Sequence, residues 1–236
     1  LHYPLRRQRQ MCIRDRPYIK VAPEENPFLG ERGIRLCLAR PELLRSQVRA
    51  ILRAAEAGPV RIMFPMIADI SEWRRARAIV EEERAAMGAP EVEMGIMIEI
   101  PSAALMADAF AREVDFFSVG TNDLTQYTLA MDRMHPTLAG QSDGLHPAVL
   151  RLIKMTVDAA HANGKWVGIC GELGADPQAV PILVGLGVDE LSVSVPAIAG
   201  VKAQIRSLSL AECQALAEKA LQCEGAGMVR RLGIGD

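Results

Sequence analysis

Residues 94–123 read MGIMIEIPSAALMADAFAREVDFFSVGTND. Two nearly unbroken apolar runs, Met94–Ile100 and Phe116–Gly120, bracket a more mixed stretch. Each run closes on residues of another kind: Glu99 and Pro101 at the end of the first, Thr121-Asn122-Asp123 after the second. A strand that is apolar along its whole length is buried on both faces, as parallel strands are when helices cover them. Similar runs recur at Val60–Met66, Lys165–Cys170 and Glu190–Val195, the fourth followed by Gly171-Glu172.

Amphipathic stretches separate these runs. Pro41 opens one whose Leu43, Leu44, Val48, Ile51 and Leu52 share a face, and Gly58-Pro59 closes it. Ser71 is placed to cap a second, with Trp73, Ala76, Ile79 and Val80 inward and Arg74, Arg75 and Glu81 to Glu83 facing water. Pro147, Asp176-Pro177 and Ser209 begin three more. Alternation of this kind without internal repeats predicts an α/β protein with a parallel sheet, preferably a (β/α)8 TIM barrel. In such a barrel the chemistry sits at the carboxyl ends of the strands, where the polar residues of this chain cluster. No G-x-G-x-x-G or P-loop pattern supports nucleotide binding.

Composition narrows the class. The chain has 236 residues, 50% hydrophobic and 4% aromatic, with 27 basic against 29 acidic side chains. A near-neutral balance argues against nucleic acid as a partner. No apolar run reaches the length of a membrane span, and no secretory leader is recognisable, so a cytoplasmic location is expected. The five cysteines include no C-x-x-C pair and read as free thiols. Residues 1–16, with five arginines and the string MCIRDR, differ from the rest. They are expected to be a non-native segment, which leaves 17–236 as the domain.

Several residues have addresses that ask for chemistry. Glu99 is an anion inside an apolar strand, and burying a carboxylate is costly unless a cation or hydrogen bonds compensate. With Asp123 it would form a hard oxygen site suited to Mg2+ or Mn2+, leaving positions open for water and substrate. Equally, Asp123 could cap the following helix and Glu99 could pair with an internal arginine. Arg32 in NPFLGERGIR, Arg61 in VRIMFPM and Arg133 in MDRMHP have forks suited to phosphate or carboxylate, though each also suits a structural ion pair. Arg35 could serve in place of Arg32, and Asp132 could be a local partner of Arg133. Cys170 ends an apolar strand, where a thiol is a nucleophile, a proton donor or simply a buried side chain.

The blocks ENPFLGERGIR, RIMFPMI, MIEIPSAA, EVDFFSVGTNDLTQYTLAMDR and GKWVGICGEL occur in that order. Together, from about Pro17 to Leu216, they make the chain resemble the C-terminal domain of phosphoenolpyruvate–protein phosphotransferase, Enzyme I of the sugar phosphotransferase system. The likeness is greatest to the Enzyme I modules of fused multiphosphoryl transfer proteins. That resemblance implies a PEP-utilising (β/α)8 barrel that binds phosphoenolpyruvate (PEP) with Mg2+ and forms a homodimer. Carried onto this sequence, it makes Glu99 and Asp123 the metal ligands. Arg32, Arg61 and Arg133 would hold the phosphoryl group or carboxylate, Asn122 and Asp123 would contact the substrate, and Cys170 would protonate the enolate carbon as pyruvate forms. The implied acceptor is a histidine on a separate domain, followed by the small carrier HPr, and no residue here matches that histidine's motif.

The resemblance also implies a first barrel strand, bearing a further arginine, ahead of Pro17, so the barrel is expected to be N-terminally truncated. Two departures stand out: GELGAD where GELAGD is usual, and Met134 where glycine commonly follows the arginine. The competing expectations are a fragment of pyruvate phosphate dikinase or PEP synthase, and an inactive PEP-sensing dimerisation module.

Overall fold

The computed structural model describes residues 24–233, so the expectation for residues 1–16 lies outside them. The chain divides into two compact units between Met97 and Ile98. In the described residues the expected strands form as β1 (Arg61–Phe64), β2 (Glu93–Ile98), β3 (Phe116–Gly120), β4 (Trp166–Cys170) and β5 (Glu190–Ser192). Every pairing described is parallel: β1 with β2, β3 with β4, and β4 with β5. Helices follow the strands, which gives the α/β architecture of parallel strands and crossovers.

In the first unit, the helix Pro41–Ala55 buries Leu44, Val48 and Leu52, with proline at its first turn as the sequence suggests. The helix Ile70–Met87 buries Trp73, Ala76, Ile79 and Val80, and Phe64 meets Trp73 edge-on with ring centroids 6.0 Å apart. Two details of this helix differ from expectation. Its cap is Asp69 rather than Ser71: Asp69 accepts from the Ser71 amide at 2.8 Å, while the Glu72 carboxylate accepts from the Asp69 amide at 3.1 Å. Asp69 thus completes a reciprocal box with Glu72, which Ser71 stands two positions too late to make. Glu83, expected in water, is 5% exposed. Arg45 and Arg49 of the preceding helix reach over and hold it, which satisfies the carboxylate that packing excludes from solvent.

In the second unit, β3 and β4 carry stacked Phe116 and Trp166, with centroids 4.8 Å apart. The helix Pro147–Ala162 buries Leu150, Ile153, Val157 and Ala160, as its spacing implies. His146, a residue of no assigned purpose in the sequence, accepts the Ala148 amide on Nδ1 at 3.1 Å and so caps this helix. The helix Ala179–Leu186 lies against the helix Leu210–Gln222 at Gly185, where an added Cβ would come within 2.0 Å of the Cys213 carbonyl oxygen. Backbone cannot yield as a flexible side-chain tip can. Gly185→Ala is therefore expected to lower stability by about 1–3 kcal/mol, the range for overpacked sites, read as a fall in the urea midpoint at unchanged slope.

Candidate active site

The strand ends of the second unit gather polar side chains that the core would otherwise exclude. Glu99 immediately follows β2 and is 3% exposed; Asp123, in the first turn of the helix Thr121–Leu129, is 9% exposed. That helix begins directly at the end of β3, with Gly120 at its cap position and no side chain capping it. Asp123 is therefore an inward-facing residue of the first turn and not the cap. Its Oδ1 lies 3.5 Å from the Arg133 guanidinium, an ion pair at the loose end of contact.

Arg133 is held by its backbone. Ala130 takes a left-handed turn at φ +53°, ending the helix, and the Arg133 amide then donates to Gln126 Oε1 at 3.1 Å. Asp132, weighed as a partner for Arg133, instead accepts the Met134 amide at 2.8 Å. Gln126 is nearly buried and gives no sequence signal of its role, since its partner is a backbone group seven residues on.

The ends of β3 and β4 are fastened together. Asn122 Oδ1 accepts from the Glu172 amide at 3.2 Å. Between Cys170 and Glu172, Gly171 sits at φ +136°, and a Cβ there would come within 2.3 Å of Thr121 Oγ1. Glycine is required on both counts, backbone conformation and space. Cys170 is half-buried. Burial pushes its thiol above the ordinary range, and the negative charges of Glu99 and then Glu190 push it the same way. The group is accordingly held as the neutral thiol near neutral pH.

The first unit places the other two candidates. Arg32 lies over the Phe28 ring, 5.0 Å from its centroid. Arg35 is turned to its own loop, donating to the Leu29 carbonyl at 2.9 Å and the Gly30 carbonyl at 3.3 Å, so it clamps the loop that carries Arg32. Gly33, at φ +53°, lets Met66 pack beneath that loop. Arg61 opens β1 and pairs with Glu93, its register partner on β2. The anion that this arginine requires is thus available on the neighbouring strand, and a cavity of about 400 Å³ beside it is lined by Pro59, Val60, Pro90 and Val92.

Among the described residues no three His, Cys, Asp or Glu side chains converge on one point as a metal cage. Glu99 and Asp123 are each buried carboxylates, hard oxygen donors of the type that a divalent cation such as Mg2+ takes.

The chain belongs to the PEP-utilising enzymes through their PEP-binding domain, whose family pattern matches residues 9–210. It is 62% identical over 216 residues to the multiphosphoryl transfer protein of Rhodobacter capsulatus, covering 92% of this chain and 26% of that protein. It is 52% identical over 213 residues to the phosphoenolpyruvate-protein phosphotransferase of Staphylococcus carnosus, covering 88% of this chain and 37% of that protein. The chain thus spans between about a quarter and three-eighths of the length of these curated relatives. Among solved structures, a citrate lyase from Burkholderia xenovorans shares the fold, with a TM-score of 0.54 and 26% identity over 75% of this chain and 58% of that one.

A raised thiol pKa has a direct consequence. In chelator-treated protein, alkylation of Cys170 by iodoacetamide, followed by peptide mass spectrometry, is expected to be slower at pH 8 than that of a free thiol. Its rate should keep rising above pH 9, because less than half of the thiol is ionised there.

Proposed function

We propose that the chain is the PEP-binding part of a phosphoenolpyruvate–protein phosphotransferase. In this reading it presents PEP so that the phosphoryl group passes to a histidine on a separate domain and then to an HPr carrier, with release of pyruvate. The observation that carries the reading is the joint placement of buried Glu99, buried Asp123 and a protonated Cys170 in one unit, in a chain of this family.

Glu99 and Asp123 would hold Mg2+, with Mn2+ as a substitute. The ion supplies charge neutralisation at the oxygens of PEP, which carries several negative charges. The chain's own residues do the rest. Arg133, fixed by Gln126 and loosely paired with Asp123, can turn its guanidinium to a substrate anion at small cost. Asn122 Oδ1 is occupied by the Glu172 amide, which leaves its side-chain N–H2 to donate to the substrate. Arg32 and Arg61 are assigned to the phosphoryl or carboxylate group on the family blocks alone; Arg61 itself opens β1 and is paired with Glu93 at the amino ends of β1 and β2. Phosphoryl transfer itself needs mainly positioning and charge compensation, and these groups provide both.

The remaining step is a proton transfer. When the P–O bond breaks, the electron pair stays on the enolate of pyruvate and the phosphorus bonds to the acceptor nitrogen. The Cys170 S–H then breaks as a C–H bond forms at the enolate methylene carbon, leaving a thiolate that regains its proton from water. A thiol held protonated by burial suits this step, since a thiolate would have no proton to give.

On the resemblance to Enzyme I, this domain would assemble as a homodimer in the cytoplasm and serve sugar uptake. Among the described residues no helix is long and apolar enough to cross a membrane.

Calorimetric titration of the chain with PEP tests the reading. Binding is expected with Mg2+ and absent with EDTA, and Asp123→Asn should weaken it at least about tenfold, as loss of a charged ligand does. Cys170→Ala should bind PEP within about threefold of wild type. In the complete phosphotransferase the same change should cut turnover by about 10²–10⁴-fold, the range for removal of a general acid. Absence of Mg2+-dependent PEP binding would refute the function, and full turnover by Cys170→Ala would refute the proton-donor role.

A further inference from the structure

Arg230 lies beyond the residues that the family pattern matches, and the chemistry above makes no use of it. Its guanidinium is nonetheless the centre of an ion-pair cluster. Nε and Nη2 donate to Asp143 Oδ2 and Oδ1 at 2.6 and 2.8 Å, a bidentate fork. Nη1 donates to Asp176 Oδ2 at 2.8 Å and to Gln178 Oε1 at 2.9 Å. Gln178 Nε2 returns a hydrogen bond to the Arg230 carbonyl at 3.0 Å, which closes the ring.

The two aspartates belong to two segments of the candidate site. Asp143 ends the stretch that carries Arg133, and Asp176 follows the turn Glu172–Ala175 that comes after Cys170 and Gly171. The stretch 131–144 contains no buried side chain; it is a series of turns, His135 on Asp132, Gln141 on Leu138, His146 on Asp143. Without a packed hydrophobic side chain, its position depends on its polar anchors. Gln126 anchors the start, at the Arg133 amide, and Arg230 anchors the end. The two segments also touch directly: a Cβ on Gly144 would lie 3.1 Å from Leu173 Cδ1.

We propose that Arg230 is a positioning residue that locks the segment bearing Arg133 to the turn following Cys170, through Asp143 and Asp176. Its effect on substrate rests on the phosphotransferase reading above; its effect on the two segments does not. A lysine could not reproduce it, because one ammonium cannot span two carboxylates with the spread of a guanidinium.

Hydrogen–deuterium exchange on the intact chain, followed by peptide mass spectrometry, tests the lock. In Arg230→Met, peptides covering 131–146 and 171–178 should exchange at least about tenfold faster than in wild type. β3 and the helix Pro147–Ala162 should keep wild-type protection, which a general loss of stability would not allow. Arg230→Lys should restore only part of the protection. PEP affinity in the presence of Mg2+ should fall at least about fivefold in Arg230→Met. Unchanged exchange in either segment, or loosened segments with unchanged PEP affinity, would overturn the proposal. Should the methionine variant not fold, Asp143→Asn serves instead: it keeps the side-chain shape, and unchanged exchange over 131–146 in that variant overturns the proposal. Failure of the wild-type chain to bind PEP would refute the functional reading, and the exchange rates would still decide the lock.

Discussion

Two carboxylates held out of water at strand ends set the terms for the rest of the second unit. Glu99 and Asp123 are each almost fully buried, and an ion so placed costs several kcal/mol unless other groups compensate. A fold has two ways to tolerate that. It can seal the charge in a tight pair, as the first unit does with Glu83 between Arg45 and Arg49. Or it can keep the charge for a ligand, the role proposed for Asp123, whose Oδ1 lies 3.5 Å from the Arg133 guanidinium.

The same charge acts on the thiol. Glu99 adds to the effect of burial in keeping Cys170 protonated, so the Glu99 carboxylate and the Cys170 thiol are electrostatically coupled. Geometry then depends on backbone detail. Gly171 allows the chain to pass against Thr121, and Asn122 ties the Glu172 amide to the end of β3. Gln126 and Arg230 hold the two ends of a stretch that has no core of its own. The stretch 131–144 has no buried side chain and is stitched in place with polar contacts at both ends.

Much of this could be read from the chain in order. Near-continuous apolar runs located all five described strands to within two or three residues, since burial on both faces leaves few polar positions to confuse the pattern. Glu99 and Asp123 stood out because charge is rare in such runs, and the structure does bury them. Helix ends were less legible. Ser71 gave way to Asp69, and Glu83 turned inward, because a cap depends on an offset of one or two residues and a helix face depends on what reaches over it.

The sequence by itself determined the α/β class, and it marked the strand ends, with Glu99, Asn122, Asp123, Arg133 and Cys170, as the place to look for chemistry. Each of these follows from local pattern or from the family blocks that contain it. Only the tertiary structure decided how those residues are held: Gln126 on the Arg133 amide, Gly171 against Thr121, Arg230 across Asp143 and Asp176, and Arg61 on Glu93. The physical reason is separation along the chain. Arg230 meets an aspartate 87 positions earlier and Asn122 meets an amide 50 positions later, and no local periodicity records a contact made across such a distance.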